Sequence, residues 1–197
     1  MGPGLFVGEC RHDSQTGQSK LDQFTNGILD LVFGRAEAQT TTTTVRLDTS
    51  TGVGLLARII FAEGAQDFRV PNALEGIGSV ILNRVASRGV GMPSTIDAVI
   101  MQPGAFDGVN NSLFAVAQNP ANLTGTNAQA FAQSLTVARG LLSGSIIDPT
   151  SRALFFFSGN LNQPPNGEFR RNIASGRLFH TSSFGSTHFF GDRDARF

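Results

Sequence analysis

Residues 51–64 read TGVGLLARIIFAEG, and this stretch decides the fold class. Leu55, Leu56, Ile59, Ile60 and Glu63 recur at spacings of three and four, the period of an amphipathic helix rather than of a strand. The Ser and Thr residues ahead of it are candidates for the N-cap, and Gly64 is the candidate stop. Glu63 shares its face with Leu56, Ile59 and Ile60. An acid held against apolar neighbours resists ionisation, so its pKa rises toward the range in which a general acid works near neutral pH. A glutamate at a helix end, ion-paired with Arg58 or Arg69, would give the same pattern.

Outward from this helix, Pro71 marks the start of a second one, with Leu74, Ile77, Ile81 and Val85 on one face and its end near Gly89. Gly76 and Gly78 weaken that helix but allow a neighbour to approach closely. A third, short helix fits Ile96 to Met101, capped by Ser94 or Thr95 and broken by Pro103 and Gly104. An Asn/Gly-rich loop follows to about residue 125, then a fourth helix from Ala128 to Leu142, with Gly144 beyond its end. Ala153 to Phe157 and His188 to Phe190 read as extended segments. The expectation is a single domain over residues 51–197, mainly α with minor β. Residues 1–50, with Gly at 2, 4, 8, 17, 27 and 34 and the run Thr40 to Thr44, read as an N-terminal arm or linker. Within it, Phe24 to Phe33 is a candidate short helix that docks on another chain.

Composition narrows the function. Charged residues make up only 15% of the 197, and 15 basic residues balance 15 acidic ones, so no global field favours nucleic acid or anionic lipid as a partner. No run approaches the ~18 apolar residues of a membrane helix, so membrane insertion is not expected. The first residues lack the basic cluster and apolar stretch of a secretion signal. Cys10, the one cysteine, excludes an intramolecular disulfide and a Cys-rich zinc site. It lies in the loose arm, a poor setting for a thiol nucleophile served by His12, His180 or His188. The three scattered histidines lack metal-ligand spacing, so neither metal nor cofactor is expected. With no Trp or Tyr and 17 Phe, any stacking on sugar must use Phe.

At Leu56-Ala57-Arg58-Ile59-Ile60-Phe61-Ala62-Glu63 the chain resembles the SleB/CwlJ cell wall hydrolases, the spore-cortex-lytic enzyme family, whose motif A-R-x-x-x-A-E carries a catalytic glutamate. Val80 to Val85 looks like that family's second helix, and Ile100-Met101-Gln102-Pro103-Gly104-Ala105-Phe106 resembles its helix end and Q-P-x-x-F turn. Ala138 to Leu142, Asp148-Pro149-Thr150, Phe155-Phe156-Phe157 and His188-Phe189-Phe190 are similar to its later segments, in the same order. Three sites depart from the pattern. Gly64-Ala65-Gln66-Asp67 replaces a small-Arg-Gly-Glu stretch, so that Asp67 is at best the second acid; Phe156 replaces a Tyr, and Ser186 a Gly.

The resemblance implies a lysozyme-like, lytic transglycosylase-like catalytic domain that cleaves peptidoglycan glycan strands. Glu63 would be its acid and base, and Gln102, Phe106, Phe156 and His188 its candidate substrate contacts. Phe106 tucked into the core at a turn, and His188 as a satisfied core histidine, are the competing readings. Asn83 and Arg84 read as a structural hydrogen-bonding pair, Asp97 and Asp107 as surface or turn acids. Delivery by a phage follows as an expectation, either in the virion with residues 1–50 bound to other virion proteins, or by release at lysis onto the bacterial wall. A virion protein that keeps the fold without activity is the alternative.

Overall fold

The structure, a computed structural model, describes residues 52–164 and 167–197. The expected helix from Phe24 to Phe33 lies outside them.

Helix α1 (Gly52–Gly64) is buried on every side from Gly54 to Ala62, as a helix without a polar face must be. Leu56, Ile59, Ile60 and Phe61 are fully enclosed, and each such side chain contributes roughly 1.5–3 kcal/mol. Arg58 is the polar exception. Its Nε and Nη2 donate to the carbonyl of Phe114 at 3.2 and 3.0 Å, and its guanidinium lies 4.0 Å from the Phe114 ring centroid. Helix α2 (Ala73–Ala86) begins after Asn72, which adopts a left-handed φ of 66°, and stops before Gly89 because Ser87 turns extended. Its two glycines are places of close approach. A Cβ on Gly76 would stand 2.6 Å from Cζ of Phe189, and one on Gly78 would meet Leu141 and Ile60.

Helix α3 (Ile96–Ile100) is capped by Thr95, whose hydroxyl accepts from the Ala98 amide at 3.2 Å. The stretch expected as a loop contains helix α4 (Ser112–Val116) and 3-10 turns at Asp107–Asn110 and Pro120–Asn122. Asn111 starts α4 by accepting from the Phe114 amide at 3.0 Å, a cap that replaces hydrophobic periodicity in so short a helix. Helix α5 (Gly125–Ser143) ends at Gly144 with φ 74°, as the sequence suggests. Helix α6 (Gly167–Ala174) and strand β2 (Leu178–Phe184) were not anticipated; the other strands are β1 (Phe155–Ser158) and β3 (Thr187–Asp192). The sheet is antiparallel in the order β1-β3-β2. Phe189 and Phe156 meet the helical core, while Phe157 and Phe190 stack at 5.7 Å and receive Phe169 of α6 edge-on.

Adjacent residues on α2 tie the sheet to the helices. Asn83 Nδ2 donates to the Ala153 carbonyl at 3.0 Å, and Arg84 Nε donates to that of Leu154 at 2.7 Å. Asp148 organises the turn before β1. It accepts from the Thr150 amide and hydroxyl, the Arg152 amide and Asn83 Nδ2, all within 2.9 Å, and so supports the left-handed Ser151 and Arg152. Burial opposes its charge, but these bonds outweigh burial and hold its carboxyl below the usual range. A depressed pKa gives stability that is present above the unfolded pKa and is lost as pH falls through the folded one. Asp148→Ala should therefore cost about 2 kcal/mol at pH 7. Thermal unfolding would show it, and the gap to the wild-type chain should narrow in acid.

Candidate active site

Glu63 is the penultimate residue of α1, where the enclosed helix emerges and its side chain is half-buried. Gly64 does not stop the helix by a left-handed turn; its φ is −116°. It is small because α2 crosses there, and a Cβ would stand 2.5 Å from Leu74 and 2.8 Å from Ile77. Glu63 thus stands where two helices close against each other, facing an open cleft of ≈ 850 Å³.

The segment after α3 lines this cleft. Gln102 to Ala105 make a turn with Pro103 in second place, Gly104 at φ 72°, and the Ala105 amide donating to the Gln102 carbonyl at 3.1 Å. Gln102 is exposed at the cleft, and Phe106 is buried beneath it, 6.1 Å from the Phe156 ring. Phe155 to Ser158 of β1 and Glu168, Phe169 and Asn172 of α6 line it too. Arg177 and Asp192, ion-paired at 3.2 Å, also line the cleft. Glu63, Gln102, Phe106 and Phe156 are thus brought together. His188 is not among the lining residues. Its Nε2 donates to the Gly159 carbonyl at 3.0 Å and its Nδ1 meets the Ser183 hydroxyl at 2.7 Å, which fixes the ring in the hairpin. Asp67 is not there either; it accepts from the Ser186 hydroxyl at 2.8 Å and braces the β2–β3 turn.

Three residues that sequence reasoning assigned elsewhere or passed over surround Glu63. The Gly108 amide donates to Glu63 Oε1 at 2.5 Å. Asp107, expected as a turn acid, lines the cleft and acts on Glu63 as a negative neighbour. Arg84, expected as a structural residue, also lines it. Arg84 is buried, with its guanidinium 4.6 Å from the Phe106 centroid and 5.4 Å from that of Phe155. Burial pushes the Arg84 guanidinium down to about 10 against the upward pull of Glu63. Burial is also the main influence on Glu63 and raises its carboxyl above the ordinary range. The Gly108 hydrogen bond restrains that rise, Asp107 adds to it, and Arg84 opposes it. The only sequence signal for this group was that Asp107 and Gly108 directly follow the Q-P-x-x-F turn.

The sequence model of a family described as cell wall hydrolase matches residues 72–190, more than half of the chain, with Glu63 ahead of the matched span. Among solved structures, the crystal structure of the catalytic domain of the Bacillus cereus SleB protein is similar at 22% identity. The match covers 68% of this chain and 88% of that one, with a TM-score of 0.44. No curated protein matches.

Carbon-13 NMR titration of the glutamate carboxyls is expected to find Glu63 titrating above the ordinary carboxylate range. Asp107→Asn removes a negative neighbour and should move that titration to lower pH. Because the folded pKa is raised, the stability from Glu63 is present below the unfolded pKa and is lost as pH rises through the folded one. Glu63→Gln should therefore melt above the wild-type chain at neutral pH, with the difference vanishing in acid.

Proposed function

The chain belongs to the cell wall hydrolase family, and from that premise we propose that it cuts the glycan strand of peptidoglycan with Glu63 as general acid and then general base. The observation that carries the proposal is a half-buried carboxyl of raised pKa facing a cleft of a size that accepts sugar rings. In the first step the protonated Glu63 gives its proton to the glycosidic oxygen as the bond to C1 breaks. In the second, the carboxylate takes a proton from the muramoyl C6 hydroxyl, whose oxygen bonds to C1 and closes an anhydro ring. This route needs one carboxylate, not the pair of ordinary glycosidases. Gln102 at the cleft and the half-buried Phe156 ring are the proposed sugar contacts, while Phe106, buried in the core beneath the turn, supports them from below rather than touching sugar.

Asp107 supports a second reading. A carboxylate in the same cleft and within electrostatic reach of Glu63 suits a base that activates water, which would give hydrolysis instead. Residues 1–50 are proposed as an attachment arm, with a phage virion as the assembly; the support is the change of composition at Thr51.

Mass spectrometry of purified peptidoglycan digested by the wild-type chain and by Glu63→Gln tests these readings. Anhydromuramoyl fragments are expected, falling on the order of 10²-fold or more in the variant. Fragments heavier by one water, lost in Asp107→Asn, would select hydrolysis. No release by either protein from several wall types would favour a virion protein that keeps only the fold.

A further inference from the structure

We propose that Gly108 is a positioning residue of the reaction: its amide fixes Oε1 of Glu63 as an acceptor, so that the transferable proton is carried on Oε2. This rests on the reading of Glu63 as acid and base. A backbone N–H donates and cannot accept, and in a carboxylic acid the carbonyl oxygen is a much better acceptor than the hydroxyl oxygen, so the oxygen facing the N–H is favoured as the unprotonated one. In the carboxylic acid, Oε1 is therefore the carbonyl oxygen and the hydrogen sits on Oε2. In the carboxylate, the N–H stabilises charge on Oε1 and leaves Oε2 free to receive a proton. Oε2–H protonates the glycosidic oxygen, which keeps the electron pair of the breaking C1–O bond. Oε2 then takes a proton from the hydroxyl or water whose oxygen bonds to C1, and the carboxylic acid is restored.

The position demands glycine for space and not for backbone conformation, since Gly108 is absent from the glycines of positive φ. A Cβ there would stand 2.6 Å from Glu63 Oε1, 3.0 Å from its carboxyl carbon and 3.1 Å from Ala62 Cβ. Asn111 clamps the approach. Its amide donates to the Gly108 carbonyl at 3.1 Å, and its Nδ2 donates to the Ala62 carbonyl at 3.0 Å, so one residue joins the Gly108 peptide to the end of α1. The charged groups that act on Glu63 here are Asp107 of the same turn and Arg84 of α2.

Two forms of the full chain test the proposal. Gly108→Ala inserts the clashing Cβ. Glycolic acid in place of residue 108 turns the amide into an ester, which removes the N–H without adding an atom. On soluble peptidoglycan fragments both are expected to lose about tenfold or more in kcat with little change in KM, since a charged hydrogen-bond acceptor has lost its donor. The basic limb of the pH profile should move to higher pH, because the lost bond had held the Glu63 pKa down. A folded ester variant with wild-type kcat and an unmoved limb would overturn the proposal. Glu63→Gln, assayed alongside, separates the two claims. Activity in that variant sinks the reading of Glu63 itself, whereas an inactive Glu63→Gln beside a wild-type ester form sinks only the role of Gly108.

Discussion

Asn83 and Arg84 hold the sheet to the helices, and the cleft depends on that grip. Because consecutive helical residues point about 100° apart, the pair can reach two successive carbonyls, those of Ala153 and Leu154, just before β1. The strand is thereby set at a fixed height against α2, and its aromatic run reaches the cleft beside Phe106, whose ring lies 6.1 Å from that of Phe156. Arg84 touches both segments. Its Nε bonds the strand side, its guanidinium lies near the Phe106 and Phe155 rings, and its charge is felt by Glu63. A buried cation of this kind must have its donors satisfied, and the carbonyls that satisfy them belong to the segments that form the cleft.

A second brace joins the far turn of the sheet to the 3-10 turn that follows α1. Asp67 and Ser186, two positions at which the chain departs from the family pattern, meet at 2.8 Å across 119 residues of sequence. Thr187 extends the contact, with its hydroxyl 3.4 Å from Asp67 and 2.9 Å from that of Ser158, which lines the cleft. The short Asp67 carboxylate reaches the Ser186 hydroxyl directly, so the two positions meet in one hydrogen bond. They bear on the rigidity of the hairpin more directly than on the chemistry beside Glu63.

What was legible in the sequence was whatever repeats within one element. The apolar period of α2 and α5 was readable because each buries a long face, α1 because it is apolar almost throughout, and Gly76 and Gly78 announced the close approach of Phe189 and Leu141. Strand β2 was missed since it presents His180, Ser182 and Ser183 among its apolar residues and leaves much of itself exposed. Helix α6 has no buried residue and docks through Phe169, too little for a periodic signal. In the candidate site, Glu63 was readable as an acid at the end of an apolar helix. Gly108 and Arg84 were not, because their roles arise when loops and helices distant in sequence meet, and Asp107 looks like any acid opening a turn.

In the proposed mechanism the surroundings of Glu63 must satisfy two opposed demands in one turnover. The group has to hold a proton long enough to give it, then hold a charge long enough to take one back. Burial at the end of α1 serves the first, and Asp107 adds to it; taken alone, these would favour a neutral acid that is a poor donor and hardly ever a base. The Gly108 amide and the more distant Arg84 pull the other way. Their strengths differ in kind. The amide acts on one oxygen through a direct bond, and so sets direction as well as affinity; Arg84, still charged at neutral pH with its pKa pushed down to about 10, acts through space on the whole carboxylate. In the proposed mechanism directionality therefore comes from the backbone, through the hydrogen bond that a residue without a side chain gives to Glu63.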